Sequence, residues 1–73
     1  MRIVSMNNQG SDCYDARVEN FKNVDACETA FSSLISAGFD VDEYEDGELT
    51  VSGYKEEYYS KADFIKEVRK IVK

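Results

Sequence analysis

The sequence predicts an α+β fold, in which a four-stranded antiparallel sheet carries two helices packed on one face in the order ββαββα. Three observations lead to this prediction. Apolar and polar residues alternate in short stretches in two parts of the chain, as half-buried strands do. A segment with apolar residues at helical spacing follows each of these parts. Each helical segment has one apolar stripe, so both helices are expected on the same side of the sheet.

The first predicted hairpin covers the N-terminal 20 residues. Residues 2–7 form its first strand, residues 8–12 form a polar turn around Gly10, and residues 13–20 form its second strand. In that second strand one face carries Tyr14, Ala16 and Val18, and the other carries Asp15, Arg17 and Glu19. This alternation predicts a strand buried on one side only.

The first helix is predicted over residues 23–38. Asn23 is suited to cap its start, Asp25 and Glu28 sit favourably near its positive end, and Gly38 is suited to end it. Its predicted core stripe consists of Val24, Cys27, Phe31, Leu34 and Ile35. Ser32, Ser33 and Ser36 fall on the opposite, solvated face.

The second hairpin joins strands at residues 39–44 and 48–54, and its loop length decides which side chains face the core. A two-residue loop at Asp46–Gly47 would divide the apolar residues between the two faces of the sheet. A three-residue loop, with Gly47 in the left-handed conformation, places Val41 opposite Val51 and keeps the apolar residues together. We therefore predict the second register, in which the outer face carries Asp40, Asp42, Tyr44, Glu48, Thr50, Ser52 and Tyr54.

The second helix is predicted over residues 60–73. Ser60 and Asp63 form a capping pattern at its start. Its core stripe consists of Phe64, Ile65, Val68, Ile71 and Val72. Between the last strand and this helix, residues 55–59 fit either a strand extension or a loop.

Composition indicates one small intracellular domain, residues 1–73. The chain has 42% hydrophobic residues and no proline, which fits a single core without linkers. No apolar run approaches the ~20 residues of a membrane span, and the N-terminus lacks the apolar region of a signal peptide. We therefore expect a cytoplasmic protein in which Cys13 and Cys27 remain thiols and form no zinc site.

The sequence predicts no enzymatic activity, cofactor or metal. It contains no His, the commonest general base near neutral pH, and no nucleotide-binding or nucleophile motif. A calcium-binding loop starting at Asp42 would place Tyr44 at its third position and Gly53 at its twelfth. Both positions require oxygen ligands, and the twelfth requires a Glu, so the match fails.

Negative charge is concentrated in one segment. Residues 40–57 contain eight acids and one lysine, a net charge of −7, which leaves +1 for the rest of a chain whose total is −6. Like charges so close together do not stabilise the fold, which favours a role in binding, although solubility would also account for them. The candidate partner-binding residues are Asp40, Asp42, Tyr44, Glu45, Asp46, Glu48, Tyr54, Glu56 and Glu57.

Four tyrosines, Tyr44, Tyr54, Tyr58 and Tyr59, lie in or near this acidic segment. Two interpretations stay open. The rings complete the edge of the core while their hydroxyls reach water, or they belong to a binding surface, where tyrosine is enriched.

In size, acidity and lack of catalytic residues, the chain resembles small acidic inhibitors of nucleases, restriction enzymes or CRISPR effectors, which bacteriophages often encode. The resemblance lies in composition and involves no motif. It implies a nucleic-acid mimic of the anti-CRISPR or anti-restriction type, whose carboxylates occupy a basic groove on a nucleic-acid-binding protein. The net charge of −6 argues against direct binding to nucleic acid, and no membrane contact is expected.

The alternative hypothesis is a non-enzymatic interaction or homo-oligomerisation module without mimicry. A sheet with both helices on one side leaves its other side open for a partner. Apolar residues expected there, namely Ile3, Cys13, Tyr44 and Tyr54, would then contribute to a homodimer.

Overall fold

The computed structural model describes residues 1–6, 12–44 and 47–72. In this part of the chain the elements follow the predicted order: β1 (Arg2–Met6), β2 (Cys13–Glu19), α1 (Val24–Ser36), β3 (Asp40–Tyr44), β4 (Glu48–Tyr54) and α2 (Lys61–Val72). The predicted α+β class is confirmed. The predicted turn around Gly10 and the loop residues Glu45 and Asp46 fall on, or partly on, residues outside the described ones.

The four strands form one antiparallel sheet in the order β1-β2-β4-β3. The two hairpins therefore lie side by side, and β1 and β3 are the edge strands. In the second hairpin Val41 lies opposite Val51 and Tyr44 lies opposite Glu48, which is the register of the three-residue loop. Gly47 has a φ of 72°, the left-handed conformation that this loop requires.

The core lies between the sheet and the two helices. Its fully buried sheet residues are Ala16 and Val18 of β2 and Leu49 and Val51 of β4. Leu34 of α1 and Phe64 and Val68 of α2 cover them, each also fully buried. Ile65, Ile71 and Val72 pack against this cluster, so the predicted stripe of α2 is confirmed.

The predicted stripe of α1 is partly wrong. Cys27 and Leu34 are buried as expected, but Val24 and Ile35 are 72% and 48% exposed, and Ala30 is buried instead. Helix geometry gives the reason. At about 100° per residue, Val24 and Ile35 lie roughly 90° or more around the helix from the line through Cys27, Ala30 and Leu34.

Hydrogen bonds cap both helices where the sequence predicts. The Asn23 side chain accepts a bond from the backbone N–H of Ala26 at 2.8 Å, and the Ser60 hydroxyl accepts one from the N–H of Asp63 at 3.3 Å. After α1, Gly38 adopts a φ of 97° and donates its N–H to the carbonyl of Ile35 at 3.0 Å. This turn directs the chain into β3.

Residues 55–59, which by sequence fit either a strand extension or a loop, do not extend β4 as a strand. Lys55–Glu57 form a short 3₁₀ helix, and the Lys55 N–H donates to the Asp12 carbonyl at 2.8 Å. This bond ties the end of β4 to the residue before β2. Tyr58 then turns back over the core, where its ring packs edge-on against Phe64 with centroids 5.3 Å apart.

Ile3 faces the core rather than the open side of the sheet. It lies opposite Val18 in the register and packs against the core, so its expected place among the apolar residues of the open side is wrong. Strand alternation instead places Val4 and Met6 of β1 on the open side. Side chains along a strand alternate between its two faces, so an error of one position assigns a residue to the wrong face.

Gly53 occupies a place in β4 where a side chain would not fit. A Cβ atom there would lie 2.9 Å from a ring carbon of Tyr58 and 3.0 Å from one of Phe64. Both rings belong to the aromatic part of the core, so neither moves freely. Glycine is therefore required at position 53 because it has no side chain that would collide with these two rings.

We predict that Gly53→Ala lowers the free energy of unfolding by about 1–3 kcal/mol through overpacking. Urea unfolding of the single variants and of a cycle with Tyr58→Ala would measure it. Gly53→Ala should cost clearly less in the Tyr58→Ala background, because one of the two crowding rings is gone. Gly38→Ala is the control. Gly38→Ala should lower the free energy of unfolding because Gly38 has a positive φ that alanine adopts poorly, and this loss should be the same in both backgrounds. Equal costs of Gly53→Ala in both backgrounds would contradict the steric explanation.

Candidate protein-interaction site

The face of the sheet opposite the helices, here called the open face, takes every second residue of each strand. In β4 the buried Leu49 and Val51 alternate with Glu48, Thr50 and Ser52, which therefore point to the open face. In β3 the same rule places Asp40 and Asp42 there, and both are exposed. The predicted outward orientation of these acids thus follows from the register.

The cross-strand pairs form rows over the open face. Ser52 lies between Asp40 of β3 and Asp15 of β2, and its hydroxyl donates to the Asp15 carboxylate at 2.6 Å. In the next row Thr50 lies between Asp42 and Arg17. Asp40 and Asp42 on the edge strand thus have the half-buried Ser52 and Thr50 as their neighbours on β4.

Two arginines that are not among the predicted site residues, Arg2 and Arg17, also lie on the open face. Arg17 contacts Glu19 with a distance of 2.8 Å from Nε to Oε1, and Arg2 contacts the other oxygen of Glu19 at 3.1 Å. The alternation in β2 already placed Arg17 and Glu19 on one face. It gave no sign of Arg2, which lies opposite Glu19 through the pairing of β1 with β2.

The charge of the open face is therefore polarised. On β1 and β2 the charged residues are Arg2, Arg17, Asp15 and Glu19, which sum to zero. On β3 and β4 they are Asp40, Asp42 and Glu48, which sum to −3. Among the described residues, no ion pair involves any of these last three. The uncompensated charge thus lies on the half of the open face that β3 and β4 form.

The predicted partner-binding residues do not form a single surface. Asp40, Asp42 and Glu48 lie together on the open face, and Tyr54, which is 53% exposed, ends β4 opposite Cys13. Glu57 is placed elsewhere. It lines a groove on the helix side of the molecule, together with Phe39 and Tyr58.

Two of the remaining four predicted residues lie in the described part of the chain. Tyr44 ends β3 opposite Glu48. Glu56 is an exposed residue of the 3₁₀ helix. Glu45 and Asp46 are outside the described residues. The acidic segment is continuous in sequence, but the turn of the chain after Tyr54 separates its last part from the open face.

The tyrosines divide between the two interpretations. Tyr58 completes the core edge, because its ring stacks on Phe39 with centroids 6.3 Å apart and an interplanar angle of 11°. Tyr59 is fully exposed, and Tyr54 is more than half exposed. These two rings have the exposure that a contact surface requires.

The environment of Tyr58 also affects its ionisation. Burial of the ring, followed by the negative charges of Glu57 and Glu67, raises the pKa of the Tyr58 hydroxyl above its ordinary value near 10. The two carboxylates therefore act on the hydroxyl from the 3₁₀ helix and from α2.

Within the described ranges, no group of three or more His, Cys, Asp or Glu side chains is placed to hold a metal ion. No helix in that part of the chain is long and apolar enough to cross a membrane. Comparisons with protein-family models, with curated proteins and with solved structures gave no match.

We predict that the raised pKa of Tyr58 makes the fold less stable in alkaline solution. Below about pH 10 the hydroxyl is neutral in both states, and its contribution is fully present. As pH rises from about 10 through the higher pKa of the folded state, the unfolded state loses its proton first and stability falls. Urea unfolding from about pH 8 to pH 11 should therefore show a shallower decline for Tyr58→Phe than for the wild type.

Tyr59→Phe is the matched control, because Tyr59 lies next in the chain and is fully exposed. Its alkaline decline should equal that of the wild type, because the fully exposed Tyr59 side chain is surrounded by water in the folded and the unfolded state alike. Equal declines in the Tyr58→Phe and Tyr59→Phe variants would contradict the prediction.

Proposed function

We propose that this protein is a non-enzymatic inhibitor that mimics nucleic acid and blocks a basic, nucleic-acid-binding bacterial protein. The observation that carries the proposal is the pair Asp40 and Asp42. Both are exposed, both belong to an edge strand and point to the open face, and neither has an ion-pair partner among the described residues. Carboxylates so placed are available to a positively charged groove.

Spacing supports the proposal. Residues two apart on a strand are separated by roughly 6.7 Å. That distance is about two steps of the rise of duplex DNA, at about 3.4 Å per step along one strand. Asp40 and Asp42 have this separation, and Glu48 lies on the neighbouring strand. A groove that accepts phosphates would therefore meet carboxylates at related intervals.

The position of β3 supports it as well. An edge strand is approachable from its face and from its side, so a groove can enclose it. The neutral half of the open face, on β1 and β2, lies farther from this edge and does not repel a basic partner. Long-range attraction by the local charge would also speed association with such a partner. Inhibitors of the anti-CRISPR and anti-restriction type fit this mode of action.

The alternative is an interaction module that pairs with a second copy through the open face. The exposed Met6, at 36%, and the half-buried Val4 on the same side favour it. A homodimer built there would bury part of the open face and be insensitive to salt. Sedimentation equilibrium at low and high salt separates the two functions.

We predict that Asp40→Asn/Asp42→Asn weakens capture of the partner by about tenfold or more, because close interfacial charge pairs contribute over about 1.4 kcal/mol. Immobilised protein would be incubated with bacterial lysate, washed at low and high salt, and challenged with DNA. The wild type should retain a nucleic-acid-binding protein that both high salt and DNA release.

Asp25→Asn/Glu28→Gln is the matched control, because it removes two exposed negative charges from α1 on the other side of the molecule. It should capture the partner as the wild type does. Equal capture by both double variants, equal loss in both, or a partner indifferent to salt and DNA would overturn the mimicry.

A further inference from the structure

A groove on the helix side of the molecule has an aromatic floor. Phe39 and Tyr58, whose rings stack, form this floor, and the fully exposed Tyr59 stands at its mouth. Ile71 of α2 contributes an aliphatic wall. The groove encloses about 510 Å³, within the range of about 300–1,000 Å³ found for ligand sites. It is large enough to admit a long side chain.

The rim of this groove is acidic. Glu57, Asp63 and Glu67 line it together with Lys66, a net charge of −2. The Oε1 atom of Glu67 is 3.8 Å from the Nζ atom of Lys70. Both groups are exposed, so this long ion pair contributes little to stability, and a better-placed cation can replace Lys70. Among the described residues, Glu57 takes part in no ion pair.

A cation that enters this groove meets both kinds of favourable group. Glu57 and Glu67 lie close enough to Tyr58 for their charges to act on its hydroxyl. Carboxylates and aromatic ring faces therefore converge on the same space. A planar guanidinium uses both, since it stacks on aromatic rings and donates hydrogen bonds in its own plane. An ammonium group is attracted to the carboxylates and to ring faces, but it lacks the flat surface that stacks and the planar set of donors, and a neutral side chain matches only the rings.

We propose that this groove binds an arginine side chain of a basic partner protein. The occupant is chosen by charge complementarity with the rim and by stacking on Tyr58 and Tyr59. The assignment of that arginine to the target rests on the proposed function. Phe39, in the floor, immediately precedes Asp40 at the start of β3, so a partner that encloses this edge reaches both surfaces.

The groove can be tested without the partner. Isotope-labelled protein would be titrated with the capped tripeptide Gly-Arg-Gly and followed by two-dimensional amide NMR. Saturable shifts are expected at Ala37, Tyr58 and Glu67, with dissociation in the millimolar range. The matching lysine peptide should bind about fivefold or more weakly, and the citrulline peptide, neutral but similar in shape, should give no saturable shift.

Matched variants assign the binding to the groove. Tyr59→Ala and Glu57→Gln should each weaken arginine-peptide binding about fivefold or more, since each removes one of the two attractions. The controls Tyr54→Ala and Glu56→Gln change exposed residues outside the groove and should leave binding unchanged. Dispersed amide spectra would verify that each variant is folded.

Several results would overturn the proposal: no saturable shift, equal binding of the lysine or citrulline peptide, or equal losses in the control variants. Asp40→Asn/Asp42→Asn should bind the arginine peptide as the wild type does. The peptide titration and the capture from lysate are independent measurements. A negative result in one does not decide the other, so the arginine-binding groove and the nucleic-acid mimicry are tested separately.

Discussion

The pairing of β3 with β4 determines the rest of the molecule. Burial of Leu49 and Val51 commits one face of both strands to the core, and Gly47 permits the loop that aligns Val41 with Val51. Because side chains alternate with a period of two, the same register turns Asp40 and Asp42 to the open face. A shift of one residue would bury two aspartates under the helices, at a cost that a domain of this size could not sustain.

Much of the fold is predictable because its signals are local and agree with one another. The alternation in residues 48–54 matches the observed bounds of β4, and the caps at Asn23 and Ser60 are the ones the sequence indicates. The sequence is less informative about burial that depends on how one element packs against another. The exposure of Val24 and Ile35 depends on how α1 is rotated against the sheet, which helical spacing alone does not fix.

The candidate site was predictable in part for a similar reason. Outward orientation of Asp40, Asp42 and Glu48 follows from one hairpin, whereas the neutralisation of Arg17 by Glu19 and the approach of Arg2 depend on the pairing of β1 with β2. The placement of Glu57 depends on the 3₁₀ helix, which turns the chain from the sheet toward α2. Asp40 and Asp42 belong to one acidic segment of the sequence with Glu57, but they lie on the open face, whereas Glu57 lines the groove on the helix side.

The aspartates of β3 have a second consequence, for colloidal behaviour. A sheet of four strands ends in edges whose backbone donors and acceptors invite pairing with another chain, and small proteins that leave such edges bare tend to form fibrils. On β3 the charges of Asp40 and Asp42 repel the same strand of a second molecule, so two copies cannot join there without bringing like charges together. The carboxylates that we propose for contact with a basic groove therefore also disfavour edge pairing between copies of the protein.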